Sequence, residues 1–111
     1  MNKYSDKSDF EINKAVAVNV NGTDAVVEKF GGLYISDSDA MVSFSPCNNP
    51  ADAMPIVIEN GICMNYIDKD IGWGAYHFDE EKGELEIYDK NYYRAAMICF
   101  LIMKDAENEK V

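Results

Sequence analysis

The chain has 111 residues, 48% of them hydrophobic and 12% aromatic, which is the composition of one folded domain with one core and not of a disordered segment. Twenty acidic against ten basic residues leave a formal charge of -10, and only one of the basic residues, Arg94, is an arginine. That balance excludes a surface that neutralises nucleic-acid phosphates, which needs clustered Lys and Arg, and leaves bidentate base recognition almost no raw material.

Residues 1–7 are polar and are expected to be a loose end. Ser8-Asp9-Phe10-Glu11 then reads as a capping box, with a serine for the first free N–H groups and a glutamate three residues on. Ile12, Val16 and Val20, with Ala15 beside them, form one apolar stripe, so a first helix is predicted from residue 9 to 18 or 20. Asn21-Gly22 supplies its left-handed stop. Between residues 25 and 45 the texture changes to three short β-branched or aromatic runs. Gly31-Gly32 and Asp37-Ser38-Asp39-Ala40 separate them, which predicts an antiparallel meander.

All three prolines then fall in one stretch, Pro46-Cys47-Asn48-Asn49-Pro50-Ala51-Asp52-Ala53-Met54-Pro55. Asn49 before Pro50 is an N-cap with proline at the first helical position, and Asn60-Gly61 is a C-cap signal. Pro55 falls between them, where it removes a hydrogen bond and crowds the carbonyl of Ala51, at about 3 kcal/mol in a regular helix. A second helix broken or kinked at Pro55 is the expectation.

Residues 62–67 read as a strand. From 73 to 78 a second strand sets Trp73, Ala75 and His77 on one face and Tyr76 and Phe78 on the other. Residues 79–83 are a charged hairpin loop. Glu84-Leu85-Glu86-Ile87-Tyr88 alternates strictly, Leu85 and Ile87 in and Glu84 and Glu86 out. Asp89 or Asn91 then caps a last helix over residues 92–106, and residues 107–111 are expected to be loose. The centre of that helix, residues 95–103, is apolar all round. It lies inside the fold or partly against a second copy, which makes a homodimer one expectation. The order is α-β-β-β-α-β-β-β-α in a single domain. The predicted class is α+β: a mainly antiparallel sheet of about five or six strands packed with three helices, as a two- or three-layer sandwich.

The chemistry in this pattern is thin. Cys47, Cys63 and Cys99 are an odd set without a CxxC pair, and no signal-peptide pattern opens the chain, so reduced thiols in a cytosol are expected. Their long, irregular spacings with His77 do not match a zinc site, and a Cys47–His77 nucleophile pair has no local motif behind it. Cys63 and Cys99 lie in apolar runs and read as small core residues. No phosphate loop, calcium loop or cofactor motif is present, and no catalytic or metal-binding residue is assigned. The longest apolar run, nine residues, is too short for a bilayer.

Two features are sharper. Cys47, Asn48, Asn49 and Asp52 sit at a helix start, where free N–H groups could take an anion or a partner's carboxylate. Arg94 is a cation at the unfavourable end of its helix and needs a partner. Asp52 or nearby backbone, clamping the second helix to the third, is the expectation.

Three blocks carry a resemblance. Asp9-Phe10-Glu11-Ile12-Asn13-Lys14, then Pro46-Cys47-Asn48-Asn49-Pro50-Ala51-Asp52-Ala53 with Pro55-Ile56, then Arg94-Ala95-Ala96-Met97-Ile98 with Phe100-Leu101, resemble the phage NinX family. A more distant likeness is to a small phage domain described as an α/β/α sandwich. The chain departs from the NinX pattern at Met54, where tryptophan is usual, and at Tyr92-Tyr93, where Pro-Leu is usual. The resemblance implies a phage or prophage protein in the cytoplasm of a bacterial host, and it brings no catalytic residues with it. Together these features point to a non-enzymatic accessory protein that binds a host or phage protein, without direct contact to nucleic acid or membrane. The alternative is a small-ligand or nucleotide-binding domain using loop 47–52.

Overall fold

The computed structural model describes residues 3–79 and 83–109. They form an α+β fold of three helices and six strands in the predicted order. The strands divide into two antiparallel meanders, β1-β2-β3 and β4-β5-β6.

Helix α1 spans Asp9–Asn21. The Ser8 hydroxyl accepts the Glu11 N–H at 3.1 Å and donates back to the Glu11 carboxylate at 3.2 Å, so the capping pair closes on side chains. Gly22, at φ 85°, ends the helix. Its buried stripe is Ile12, Asn13, Val16 and Ala17, while Val20 in the last turn is 48% exposed. A single 3-10 turn, Thr23–Ala25, leads into β1 (Val26–Lys29), followed by β2 (Gly32–Asp37) and β3 (Ala40–Ser43). Phe30 and Gly31 both have positive φ, 52° and 74°, which makes the two-residue turn whose twist suits a hairpin.

Helix α2 spans Pro50–Glu59 and runs on through Pro55, so of the break or kink expected there the break does not occur. Pro55 and Ala51 are both exposed, so the carbonyl freed by the missing N–H faces solvent. Ala53, Ile56 and Val57 are the buried side. Strands β4 (Cys63–Asp68), β5 (Gly72–Asp79) and β6 (Gly83–Asp89) follow. Ile87 is buried and Glu86 exposed, as the alternation predicts. The tip of the hairpin loop, residues 80–82, and the expected facing of Glu84 and Leu85 lie outside what is described.

Helix α3 spans Tyr92–Glu109, so residues 107–109 continue it and do not form a loose tail. Residues 95–101 are each no more than 2% exposed. Strands β5 and β6 cover α3 on one side, and α1 and α2 pack on it elsewhere, which encloses residues 95–101 within this chain and leaves Ile102 and Met103 partly buried. Residues 3–7 are held down as well. Tyr4 is 7% exposed, and its hydroxyl donates to Asp105 of α3 at 2.5 Å. Among the described residues no helix is long and apolar enough to cross a membrane.

Gly72 marks the tightest backbone approach. Its φ is 92°, and a Cβ there would lie 2.5 Å from Lys90 Cα and 2.7 Å from the Asp89 carbonyl oxygen. Gly72→Ala is therefore expected to lower stability by about 3 kcal/mol, strain and clash together, measured by urea denaturation.

Candidate functional site

The loop between β3 and α2 is built around buried polar groups. Asn13, 5% exposed, accepts the Cys47 N–H at 2.8 Å and donates to Ser45 Oγ at 3.3 Å. Ser45 Oγ donates to Asn48 Oδ1 at 3.0 Å, and Asn48 Nδ2 donates to Asp9 at 3.3 Å. Asp52 accepts the Ser45 N–H at 2.9 Å. Asn49 caps α2 by accepting the Ala51 N–H at 3.0 Å, and its carbonyl takes the N–H groups of Asp52 and Ala53. The four predicted residues of loop 47–52 thus belong to one joint, where their polar groups are bonded to Asn13, Ser45, Asp9 and nearby backbone. An open cleft of about 270 Å³ lies beside it, between the start of α1 and the β1–β2 turn, and Asn48 is the member of the predicted set that lines it.

Arg94 reaches that joint through a different partner from the one expected. It does not pair with Asp52. Its Nε donates to Asp89 at 3.0 Å and its Nη1 to Asp9 at 2.8 Å, while Nη2 donates to the carbonyls of Ser5 and Lys7 at 3.1 and 2.7 Å. The side chain is 14% exposed. Asp52 is committed to Ser45, whereas Asp89 ends the strand just before α3 and Asp9 starts α1. The clamp therefore ties α3 to α1 and to residues 5–7, and not to α2. Burial works against the guanidinium charge, but its bonds to Asp9 and Asp89 outweigh that and hold its pKa above the ordinary value. Asn91 is the cap of α3, accepting the N–H groups of Tyr93 and Arg94 at 2.8 and 3.0 Å.

The thiols divide differently from the sequence reading. Cys47 and Cys99 are buried, and burial pushes each thiol up to about 12, which keeps it protonated and a poor nucleophile. The charges that act on Cys47 are Asp9, Arg94 and Asp89. His77 lies on β5 with a buried Nδ1 that has no hydrogen-bond partner. Cys63, expected in the core, is exposed, because it alternates with Met64 and so lies on the face of β4 turned away from α3.

A second surface emerges from the β4–β6 register. Met64, Ala75 and Ile87 are paired across the strands and face α3. Alternation then puts Cys63, Asn65, Gly74, Tyr76, Phe78, Glu86 and Tyr88 on the other face. That face is open: Phe78 is 64% exposed, Tyr88 51% and Ile67 40%. A Cβ on Gly74 would sit 3.3 Å from the Tyr88 ring and 3.4 Å from Ile67, so these two side chains close over the buried backbone at that position. The only sequence signal for this surface is that residues 73–78 carry large side chains on both faces. That pattern does not say which face a helix covers.

Residues 3–104 match the family model described as Bacteriophage P22, NinX. The chain belongs to this family. No curated protein and no solved structure gives a match. The blocks that carry the NinX resemblance are the ones that start α1, build the β3–α2 joint and start α3. The open face of β4–β6 lies between the second and third of them.

Replacing Arg94 removes one donor each from Asp9 and Asp89, which keep Asn48 Nδ2 and the Asn91 N–H, and the side-chain donor of two carbonyls. Asp9 is 42% exposed and recovers part of the loss from water. Arg94→Met is expected to lower stability by about 3 kcal/mol, or the melting temperature by roughly 10 °C, in thermal denaturation. Arg94→Lys should recover only part of it, since an ammonium cannot span the same fork.

Proposed function

We propose that the protein is a cytoplasmic accessory protein of a phage or prophage that acts by binding a host or phage protein through the open face of β4–β6. One observation carries this reading. A contiguous set of apolar and aromatic side chains, Ile67, Tyr76, Phe78 and Tyr88, occupies the solvent side of a sheet whose other side already packs on the core. Scattered exposed apolar residues are ordinary on a protein surface, but a continuous aromatic patch marks an interaction site. Rigid rings on a sheet offer large contact area at little entropic cost, which is why Tyr and aromatic residues concentrate at interfaces. The joint at 47–52 supports the reading from the other side, since its polar groups are engaged within the fold.

Affinity capture from infected or lysogenic cells tests it, comparing the natural chain with Phe78→Ser/Tyr88→Ser. Circular dichroism would first confirm that the variant is folded. Proteins retained by the natural chain should be lost from the variant. Recovery of the same set by both would exclude this face as the binding surface.

A further inference from the structure

We infer that two copies of this chain associate by seating the Phe30 ring of each in the cleft beside the β3–α2 joint of the other. The turn between β1 and β2 supplies the projecting group. Lys29 pairs with Gly32, so Phe30 and Gly31 are the two central residues of the turn, both at positive φ. That geometry calls for Asn or Gly at its first position, and a bulky side chain there is strained. The Phe30 ring recovers none of this inside its own chain. It is 95% exposed, and its ring contact among the described residues is with the Lys29 ammonium, 5.8 Å from its centroid. A residue that breaks the local rule and leaves a phenyl ring in water marks a contact made outside the chain.

The receiving cleft adjoins the turn. Gly31, Gly32 and Leu33, which follow Phe30 directly, line it, and Phe10 and Phe44 add apolar surface. Its polar side chains Asn13, Ser45, Asn48 and Asp9 are bonded to one another in sequence, so the cleft suits an apolar ring better than a polar ligand. At about 270 Å³ it has room for one, since an apolar cavity of about 150 Å³ holds benzene. Ring and cleft lie side by side on one surface, so a two-fold axis between them seats both rings at once and closes the pair. That self-complementarity names a second copy as the occupant.

The local charges agree with it. In the turn and the cleft, Glu28 is paired with Lys14 and Asp9 with Arg94, whereas Lys29 has no ion pair among the described residues. Seating Phe30 carries Lys29 to the cleft of the other copy, where the Asp9 side chain is 42% exposed. The net charge of -10 on each copy opposes their approach, and physiological salt screens it beyond about 8 Å. Two rings of about 150–250 Å² each make a small contact, which fits a weak, reversible dimer. The pairing uses no residue of the β4–β6 face and stands apart from the binding reading above.

Sedimentation equilibrium of the purified full chain, over a concentration series at physiological salt, tests the inference. The expected result is a monomer–dimer equilibrium that weakens by about tenfold or more in Phe30→Asn and is unmoved in Phe78→Ser. Phe30→Asn makes the turn Asn-Gly, the favoured pair for this geometry, so urea denaturation should find the variant no less stable than the natural chain. The seat of the ring is read separately, with p-benzoylphenylalanine in place of Phe30 and a mixture of isotope-labelled and unlabelled chains. After irradiation, mass spectrometry should find a labelled chain joined to an unlabelled one at Phe10, Leu33 or Phe44. A monomer at every concentration, a dimer that survives Phe30→Asn or is lost in Phe78→Ser, or a cross-link confined to one chain or landing outside the cleft would overturn the inference.

Discussion

A helix that is apolar on every side has to be enclosed on every side, and residues 95–101 of α3 impose that requirement on the chain. The β4–β6 meander closes one side, while α1 and α2 close others. Deleting a side chain from such a segment typically costs about 2–5 kcal/mol, so the enclosure is a large share of a stability that for small domains totals about 5–15 kcal/mol. Arg94 fixes how the enclosure is hung. Sitting at the entry to α3, it binds Asp89 behind it, Asp9 at the head of α1, and the carbonyls of Ser5 and Lys7. Asp9 in turn accepts from Asn48, so the same anion links the Arg94 clamp to the β3–α2 joint.

This arrangement separates what the fold consumes from what it leaves over. The crowded polar residues at 47–52 look like chemistry in the sequence, yet in the structure they hold backbone in place: Asn49 caps α2, Asp52 secures Ser45, and Asn13 secures Cys47. The meander that covers α3 needs only one of its faces to do so. Its other face keeps Phe78, Tyr88 and Ile67 in solvent, where they add nothing to the enclosure of α3. The proposed binding surface is therefore a by-product of topology that its side chains have not been made polar to match.

Much of the frame is legible in the sequence because local signals decide it. Ser8 with Glu11, and Asn49 before Pro50, fix helix starts through hydrogen bonds between near neighbours. The alternation around Ile87 fixes a strand, and the all-apolar centre of α3 fixes its place inside. What escaped depends on distance or on water. Asp9, the partner that ties Arg94 to α1, sits 85 residues away, a separation no local spacing encodes. Helix α2 survives Pro55 because that side of the helix faces solvent, and Cys63 is exposed because it falls on the face of β4 opposite Met64 and α3. Asn13 could have been noticed as a polar residue beside the Ile12–Val16 stripe, which is how a buried joint announces itself. The open face was half visible: large side chains on both sides of residues 73–78 signal two apolar faces, but only the packing of α3 tells which one stays uncovered.

The central claim is that Phe78 and its neighbours are held in the open for use and are not part of what keeps the fold together. The most direct measurement is the urea denaturation of Phe78→Ser against the natural chain, in the absence of any partner. The account predicts a change within about 0.5 kcal/mol, as for a surface position away from special contacts. A loss of about 3 kcal/mol or more, the range for truncating a buried phenylalanine, would show that the face belongs to the core of the protein and would contradict the account.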